Sequence, residues 1–351
     1  MSNTDIFNVI SKISPADGRT AALARKRLDS LTKPQGSLGV LEECAVKYAA
    51  ARGDVFAKIS APAILTFAGD HGVAKEGVSA FPQEVTPQMV ATFANGGAAV
   101  NVLAKHAGAI LKVIDIGVAF PCDFQGVISR RVANGTKNFT EGPAMSLEET
   151  EKALAIGMEE AEKVIKAGST IIGTGDMGIA NTTPSTALYS VFLKIAPGQI
   201  TGRGTGIDDK RLQHKIRIIE KAIEVNKEHL SSPLNTLAAL GGFEIAGICG
   251  AILAAAANKI PVAVDGFISG AAALTAIQFN KNVMDYCFFS HISAEIGHKN
   301  ILKALGVKAL LDLDLRLGEG TGAALAFHII EAGVKIMQEM ATFEEAGVSN
   351  K

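Results

Sequence analysis

Six short apolar runs, each closing on glycine or a polar group, constrain this chain more than any other feature of it. Ala63 to Ala68, Ala109 to Ile116, Ser169 to Gly173, Pro261 to Asp265, Val283 to Ser290 and Lys308 to Leu313 are unbroken or nearly so. Strands read this way when helices cover both faces of a parallel sheet, because neither face then needs polar residues. From about residue 60 onward longer helical patterns separate the runs, so the spacing predicts an α/β fold with crossover helices. Glycine and polar groups gather after each run, as in Gly69-Asp70-His71-Gly72, Asp265-Gly266, Ser290-His291-Ile292-Ser293 and Gly318-Glu319-Gly320. Ligands bind outside the carboxyl ends of the strands in such sheets, so these stretches are expected to converge on one cleft. Taken singly, each reads equally well as a tight turn.

The two ends of the chain differ from its middle. Residues 4 to 55 carry helical periodicity around Leu28, Leu31, Leu38, Leu41 and Val46, broken at Pro34-Gln35-Gly36-Ser37, and Ile329 to Phe343 reads as a last amphipathic helix. The expected organisation is a small helical domain from both termini (residues 1–55 and 331–351) packed on an α/β domain (residues 56–330). With 48% hydrophobic and 20% charged residues, 351 residues can bury a large core, which excludes disorder and a disulfide scaffold. The balance of 34 basic and 35 acidic residues offers no overall attraction to nucleic acid or anionic lipid, so small molecules or other subunits are the expected partners. Cys44, Cys122, Cys249 and Cys287 lie far apart, and the N-terminus lacks the pattern of a signal peptide. The longest apolar run, Ile245 to Ala257, falls short of the ~20 residues that span a bilayer. A soluble cytoplasmic protein, not a membrane protein, is the expectation.

Gly173-x-Gly175-x-x-Gly178 matches a dinucleotide fingerprint as a string and fails it in context. No acid follows Asp176 until Asp208, where a Rossmann unit needs one about twenty positions on to hold the ribose, and Pro184 stands in the early turns of the following helix. A phosphate cradle remains, since amides flanked by glycine and the hydroxyls of Thr182, Thr183 and Ser185 can hold an anion. Ser293, ahead of the helical pattern Ala294 to Leu305, reads either as a plain N-cap or as a second anion contact. The cluster from Gly202 to Gly206, with Lys215 beyond it, is a third. Asp70, His71, His291 and His298 lack the spacing of a metal site, so no metal is expected, and His71 reads as a hydrogen-bonded loop residue at the cleft. Asp312 and Asp314 alternate, which on a strand puts them on one face. Glu319 stands alone between glycines, near Leu315, Leu317 and Ala323; a desolvated carboxyl there has a raised pKa and suits a general base, the alternative being an exposed loop glutamate.

Six motifs together resemble the nicotinate-nucleotide:dimethylbenzimidazole phosphoribosyltransferases. They are Lys33-Pro34-Gln35-Gly36-Ser37-Leu38-Gly39, Ala68-Gly69-Asp70-His71-Gly72-Val73, Pro82-Gln83-Glu84-Val85-Thr86, Gly178-Ile179-Ala180-Asn181-Thr182-Thr183-Pro184, Gly241-Gly242-Phe243-Glu244-Ile245-Ala246-Gly247 and Arg316-Leu317-Gly318-Glu319-Gly320-Thr321-Gly322. They run in order from about residue 20 to 335. The resemblance implies a Rossmann-like α/β fold and a homodimer. It also implies a reaction without cofactor or metal in which nicotinate mononucleotide and 5,6-dimethylbenzimidazole give α-ribazole 5′-phosphate, for the lower ligand of cobalamin, and nicotinate. By motif position it implies Glu319 as the base, Gly178, Ser293 and Gly320 near the phosphate with Lys215 a further contact, and Phe81, Gln88 and Leu317 around the incoming base. Asp176 occupies a position where the family commonly has glutamate.

Three other readings compete. The family resemblance also admits a different acceptor, such as adenine or a phenol. A transferase using phosphoribosyl pyrophosphate would require metal and paired acids, which the split Asp312 and Asp314 do not supply. A nucleotide or corrinoid carrier would use Glu319 only to hold its ligand and would bind without turnover.

Overall fold

In a computed structural model, which describes residues 3–204 and 206–349, three helices precede the first strand: α1 (Asn3–Ser11), α2 (Gly18–Asp29) and α3 (Val40–Arg52). Met1, Ser2, Thr205, Asn350 and Lys351 lie outside the described residues. Six strands then form one sheet: β1 (Ala63–Gly69), β2 (Ile110–Gly117), β3 (Val127–Ser129), β4 (Ile172–Met177), β5 (Val262–Val264) and β6 (Cys287–Phe289). Their order is β3-β2-β1-β4-β5-β6 and every pair is parallel. This is the order of doubly wound Rossmann-like sheets, in agreement with the fold class read from the sequence. Outside it, β7 (His291–Ile292) and β8 (Leu311–Asp312) pair with each other alone.

The helices that link and cover the strands are α4 (Val85–Ala94), α5 (Ala99–His106), α6 (Leu147–Lys166), α7 (Thr182–Leu193), α8 (Pro197–Ile200) and α9 (Asp209–Val225). They continue with α10 (Pro233–Leu240), α11 (Phe243–Ala257), α12 (Phe267–Phe279), α13 (His298–Ala304) and α14 (Thr321–Glu339). β1 is buried along its whole length and deals its side chains alternately to two core layers. Ala63, Leu65 and Phe67 join α6 and α11; Ile64 and Ala68 join α5 and α14. The longest apolar run is α11 itself, apolar on all sides because protein surrounds it on all sides. No helix among the described residues is long and apolar enough to cross a membrane.

Several boundaries differ from the sequence expectation, each for a physical reason. The run from Ser169 is displaced: β4 starts at Ile172 and carries Gly173 and Gly175 inside the strand instead of in a loop after it. The first half of Val283–Ser290 is a 3-10 turn over Lys281–Tyr286, leaving three residues for β6. Lys308–Leu313 shrinks to the two residues of β8, outside the main sheet. Asp314 has φ +53°, so the alternation breaks there and Asp312 and Asp314 do not share a strand face. β3, three residues at a partly exposed edge, is too short to show a period. The last helix begins at Thr321, not Ile329, because a distant carboxylate secures a start that reads locally as a glycine loop.

The chain ends meet. α14 packs on α3 and α2, where Leu28, Leu31, Ala45, Ala49 and Met337 form a separate apolar cluster. The Thr32 amide donates to the Ala341 carbonyl and the Phe343 amide to the Ser30 carbonyl, both at 3.0 Å. α1 instead lies on α11 and α6.

The α6–α11 contact is close enough that a Cβ on Gly157 would overlap the Gly247 carbonyl oxygen. Gly157→Ala is therefore expected to cost about 1–3 kcal/mol through overpacking, read as a lower urea midpoint. An unchanged midpoint would mean that the two helices separate without penalty.

Candidate active site

A cavity of about 400 Å³ opens at the carboxyl ends of β4, β5 and β6, beneath the segment that follows β1. Asp176 and Gly178 line it from β4, Gly266 and Phe267 from the turn after β5, and His291 and Ser293 from beyond β6. Leu317 and Gly318 line it from the loop before α14, and Phe81 from the segment after β1. Five of the sequence-derived site residues, Phe81, Asp176, Gly178, Ser293 and Leu317, thus border one space. Gln88, Lys215, Glu319 and Gly320 stand outside its lining.

Glu319 is held beside this space by its backbone. Its amide donates to the Asp176 carbonyl of β4 at 3.1 Å, and its carbonyl accepts from Thr66 Oγ1 of β1 at 2.7 Å. The loop therefore sits across β1 and β4, the neighbouring strands where the strand order reverses and such folds open their crevice. A Cβ on Gly175 would overlap the Glu319 carbonyl oxygen, so this glycine serves the seating of the loop and not a dinucleotide. Gly318, Glu319 and Gly320 all have positive φ (81°, 66° and 101°), a run that costs about 1–2 kcal/mol at the glutamate. Asp265 holds it in place. Its Oδ2 accepts the Gly320 amide at 3.1 Å, and its Oδ1 accepts the amides of Gly322 and Ala323 at 2.7 and 3.1 Å. The Gly320 amide is thus engaged by Asp265.

The side chain of Glu319 is 3% exposed and its Oε2 has no partner. Burial pushes its carboxyl up to about 7, with the Val100 amide in the first turn of α5 favouring the ionised form and the charge of Asp265 opposing it. Asp176 is raised well above the usual carboxylate range by burial, then by the charges of Asp265 and Glu244; the hydrogen bond from Asn181 Nδ2 at 2.9 Å works the other way. Asp265 is raised too, by burial, against the pull of His291 and its amides. Burial is the leading cause for all three acids, and the charge of Asp265 further disfavours ionisation of Asp176 and Glu319.

Ser293 does not cap a helix. α13 starts at His298 with Gly297 before it, and the Ser293 amide donates to His298 Nδ1 at 2.7 Å. Burial lowers His298 to about 3, so the ring is neutral with its proton on Nε2. The Ser293 hydroxyl, which accepts from the Glu295 amide at 3.3 Å, keeps its own proton for a ligand. Lys215, 1% exposed, donates to Thr182 Oγ1 at 2.6 Å, and burial lowers it to about 8. The loop from Gly202 is tied in by the Gly204 amide, which donates to Glu295 Oε2 at 3.3 Å.

On the other side, Phe81 and Leu317 are 53% and 55% exposed, two apolar side chains at the mouth of the cavity. Gln88 lies on α4 and is exposed; its carbonyl accepts from Thr92 Oγ1. His71 and Glu244 form a fully buried pair at 2.7 Å behind the cleft, while Asp70 accepts from Thr86 Oγ1 and the Ala119 amide. Among the described residues no group of three or more His, Cys, Asp or Glu could hold a metal ion. Sequence reasoning brought the Asp265-Gly266 stretch to the cleft without a role for Asp265, and it assigned none to Thr66, Asn181 or Glu295. Asp265 alone left a signal, as an acid at the carboxyl end of an apolar run; the others act through pairings that no local pattern carries.

The family described as phosphoribosyltransferase matches residues 13–348 of this chain. The nicotinate-nucleotide:dimethylbenzimidazole phosphoribosyltransferase of Chlorobaculum parvum is 56% identical over 350 residues, covering 99% of each chain. That of Geobacter sulfurreducens is 52% identical over 347 residues, again 99% of each. Among solved structures, CobT from Thermus thermophilus superposes with a TM-score of 0.91 at 44% identity, over 95% of this chain and all of that one.

Burial of Glu319 has a cost that depends on pH. Its folded pKa of about 7 lies above the ordinary 4.5, so between those values the folded state binds more protons and stability falls as pH rises. Glu319→Gln is therefore expected to gain about 2–3 kcal/mol over the parent at pH 8 relative to pH 4, measured by urea unfolding at both. Equal gains at the two pH values would contradict the raised pKa.

Proposed function

The chain belongs to the nicotinate-nucleotide:dimethylbenzimidazole phosphoribosyltransferases, and from that premise we infer how its own residues carry the reaction. The enzyme transfers the phosphoribosyl group of nicotinate mononucleotide to 5,6-dimethylbenzimidazole, releasing nicotinate and α-ribazole 5′-phosphate. One nitrogen of the benzimidazole attacks C1′ from the face opposite the pyridinium. The C1′–N bond to nicotinate breaks, and its electron pair stays on the ring nitrogen, so the leaving group departs uncharged and needs no proton. Positive charge gathers on the benzimidazole instead, and Glu319 takes the proton from its second nitrogen.

The observation that carries this reading is a buried carboxyl with one unpartnered oxygen, pushed up to about 7 at the sheet's switch point. A base with its pKa near the working pH combines the ionised form with a strong pull on the proton. The Gly178 amide, the Ser293 hydroxyl and the Lys215 ammonium bind the 5′-phosphate, and Gly320 contributes by keeping Glu319 in register through Asp265. Phe81 and Leu317 wall the benzimidazole, whose binding would cover their exposed faces, and Gln88 contacts its edge. Asp176, one methylene shorter than the glutamate common at this position, is held protonated by burial in the free site, and the positive charge of the bound pyridinium nucleotide favours its ionisation beside the ribosyl carbon.

Within the proposed small unit of residues 1–55 with 331–351, α2, α3 and the end of α14 share the Leu28–Met337 cluster as their core, whereas α1 packs on α11 and α6 of the larger unit. A homodimer is in keeping with the exposed Ile296 and Leu313. Four buried free cysteines fit a reducing compartment, the cytoplasm.

Product formation followed by HPLC in the presence of EDTA tests the reading. Wild type is expected to turn over, Glu319→Gln to lose on the order of 10²-fold or more in kcat, and kcat/KM to rise with pH through about 7 as Glu319 ionises. A variant with near-normal kcat would remove Glu319 from the chemistry.

A further inference from the structure

His291 is buried to 1% exposure and borders the cavity, yet neither ring nitrogen has a hydrogen-bond partner in the protein. Asp265 Oδ1 stands 3.9 Å from Nε2, too far for a hydrogen bond, and that oxygen already accepts two amides. An imidazole buried in this way costs free energy unless something enters to pair with it. The ring is also built in. A Cβ on Gly322 would overlap His291 Cδ2, and one on Gly266 would lie 2.8 Å from Nε2, so glycine at both positions leaves room for the imidazole.

Its place along the strand says what enters. His291 and Ser293 are two residues apart on an extended segment, both buried and both lining the cavity, whereas Ile292 between them does not line it. Residues i and i+2 of such a segment share a face and stand about 7 Å apart. The Ser293 hydroxyl belongs to the phosphate end of the nucleotide, and His291 lies one step along the same face, beside the Asp265 clamp that holds Glu319. The group of a ribose 5-phosphate found one such step from the phosphate is the sugar ring with its hydroxyls. We propose that His291 is a binding residue for the ribose of the nucleotide, pairing a ring nitrogen with the 2′- or 3′-hydroxyl and fixing C1′ relative to Glu319.

This rests on the phosphoribosyl reading of the cavity, and the experiment separates the two. Calorimetric titration of the intact enzyme with nicotinate mononucleotide and with its 2′-deoxy and 3′-deoxy forms gives three dissociation constants, repeated for His291→Phe and His291→Gln. Wild type is expected to bind one deoxy form about tenfold more weakly than the parent nucleotide. His291→Phe, which keeps the ring and loses both nitrogens, is expected to bind the parent about tenfold more weakly and no longer to discriminate against that deoxy form. His291→Gln, which restores a donor and an acceptor, is expected to recover part of the discrimination. Wild type binding all three nucleotides equally would overturn the proposal without recourse to a variant, as would a folded His291→Phe that discriminates as wild type does. Failure of wild type to bind nicotinate mononucleotide at all would overturn the reading of the cavity itself.

Discussion

One carboxylate organises the site. Asp265, at the end of β5, accepts the amides of Gly320, Gly322 and Ala323 and so fixes both the start of α14 and the loop in front of it. A buried carboxylate is costly unless its oxygens are satisfied, and three amides at the positive end of a long helix satisfy it. The same bonds hold Gly318, Glu319 and Gly320 in left-handed backbone, which a glutamate does not choose unaided. With the Glu319 backbone tied to Thr66 on one strand and to Asp176 on the next, the carboxyl has little freedom to swing into water. Its raised pKa follows from that fixed burial.

The electrostatics of the crevice then favour one kind of visitor. Asp176, Asp265 and Glu319 are all buried near one another; burial raises all three, and the charge of Asp265 adds to the shift of Asp176 and of Glu319. Water compensates such a cluster poorly, and a positively charged ring compensates it well. A pyridinium nucleotide brings that charge to the carbon where the bond must break. In the proposed reading its phosphate, with the opposite sign, is met by the Ser293 hydroxyl and by Lys215, which donates to Thr182 on the cavity wall.

Much of this was legible in the residues. The unbroken apolar runs gave away a sheet covered on both faces, and glycines after them marked the edge where the site lies. Glu319, isolated between glycines in an apolar setting, stood out as a carboxyl whose surroundings would raise its pKa. What stayed hidden depends on contacts between distant segments. Gly173 and Gly175 matched a dinucleotide fingerprint only as a string, and while the context spoke against that reading, nothing local says that they lie inside β4 with Gly175 admitting the backbone of Glu319. For Ser293 the cap and the anion contact read equally well, and what removes the cap is that the ring accepting its amide belongs to the helix it would have started. Asp265 showed only as the end of a strand, since its three partners lie more than fifty residues later.

The measurement that reaches the centre of this account is the titration of Glu319 itself. Carbon-13 NMR of enzyme labelled at the glutamate carboxyls, with the resonance assigned by its absence from Glu319→Gln, would follow that one group through the pH range. The expected midpoint lies near 7, well apart from the ordinary carboxylate range. A midpoint in the ordinary range near 4.5 would mean that the clamped loop does not bury its carboxyl as described, and that the base of the reaction acts without the tuning argued here.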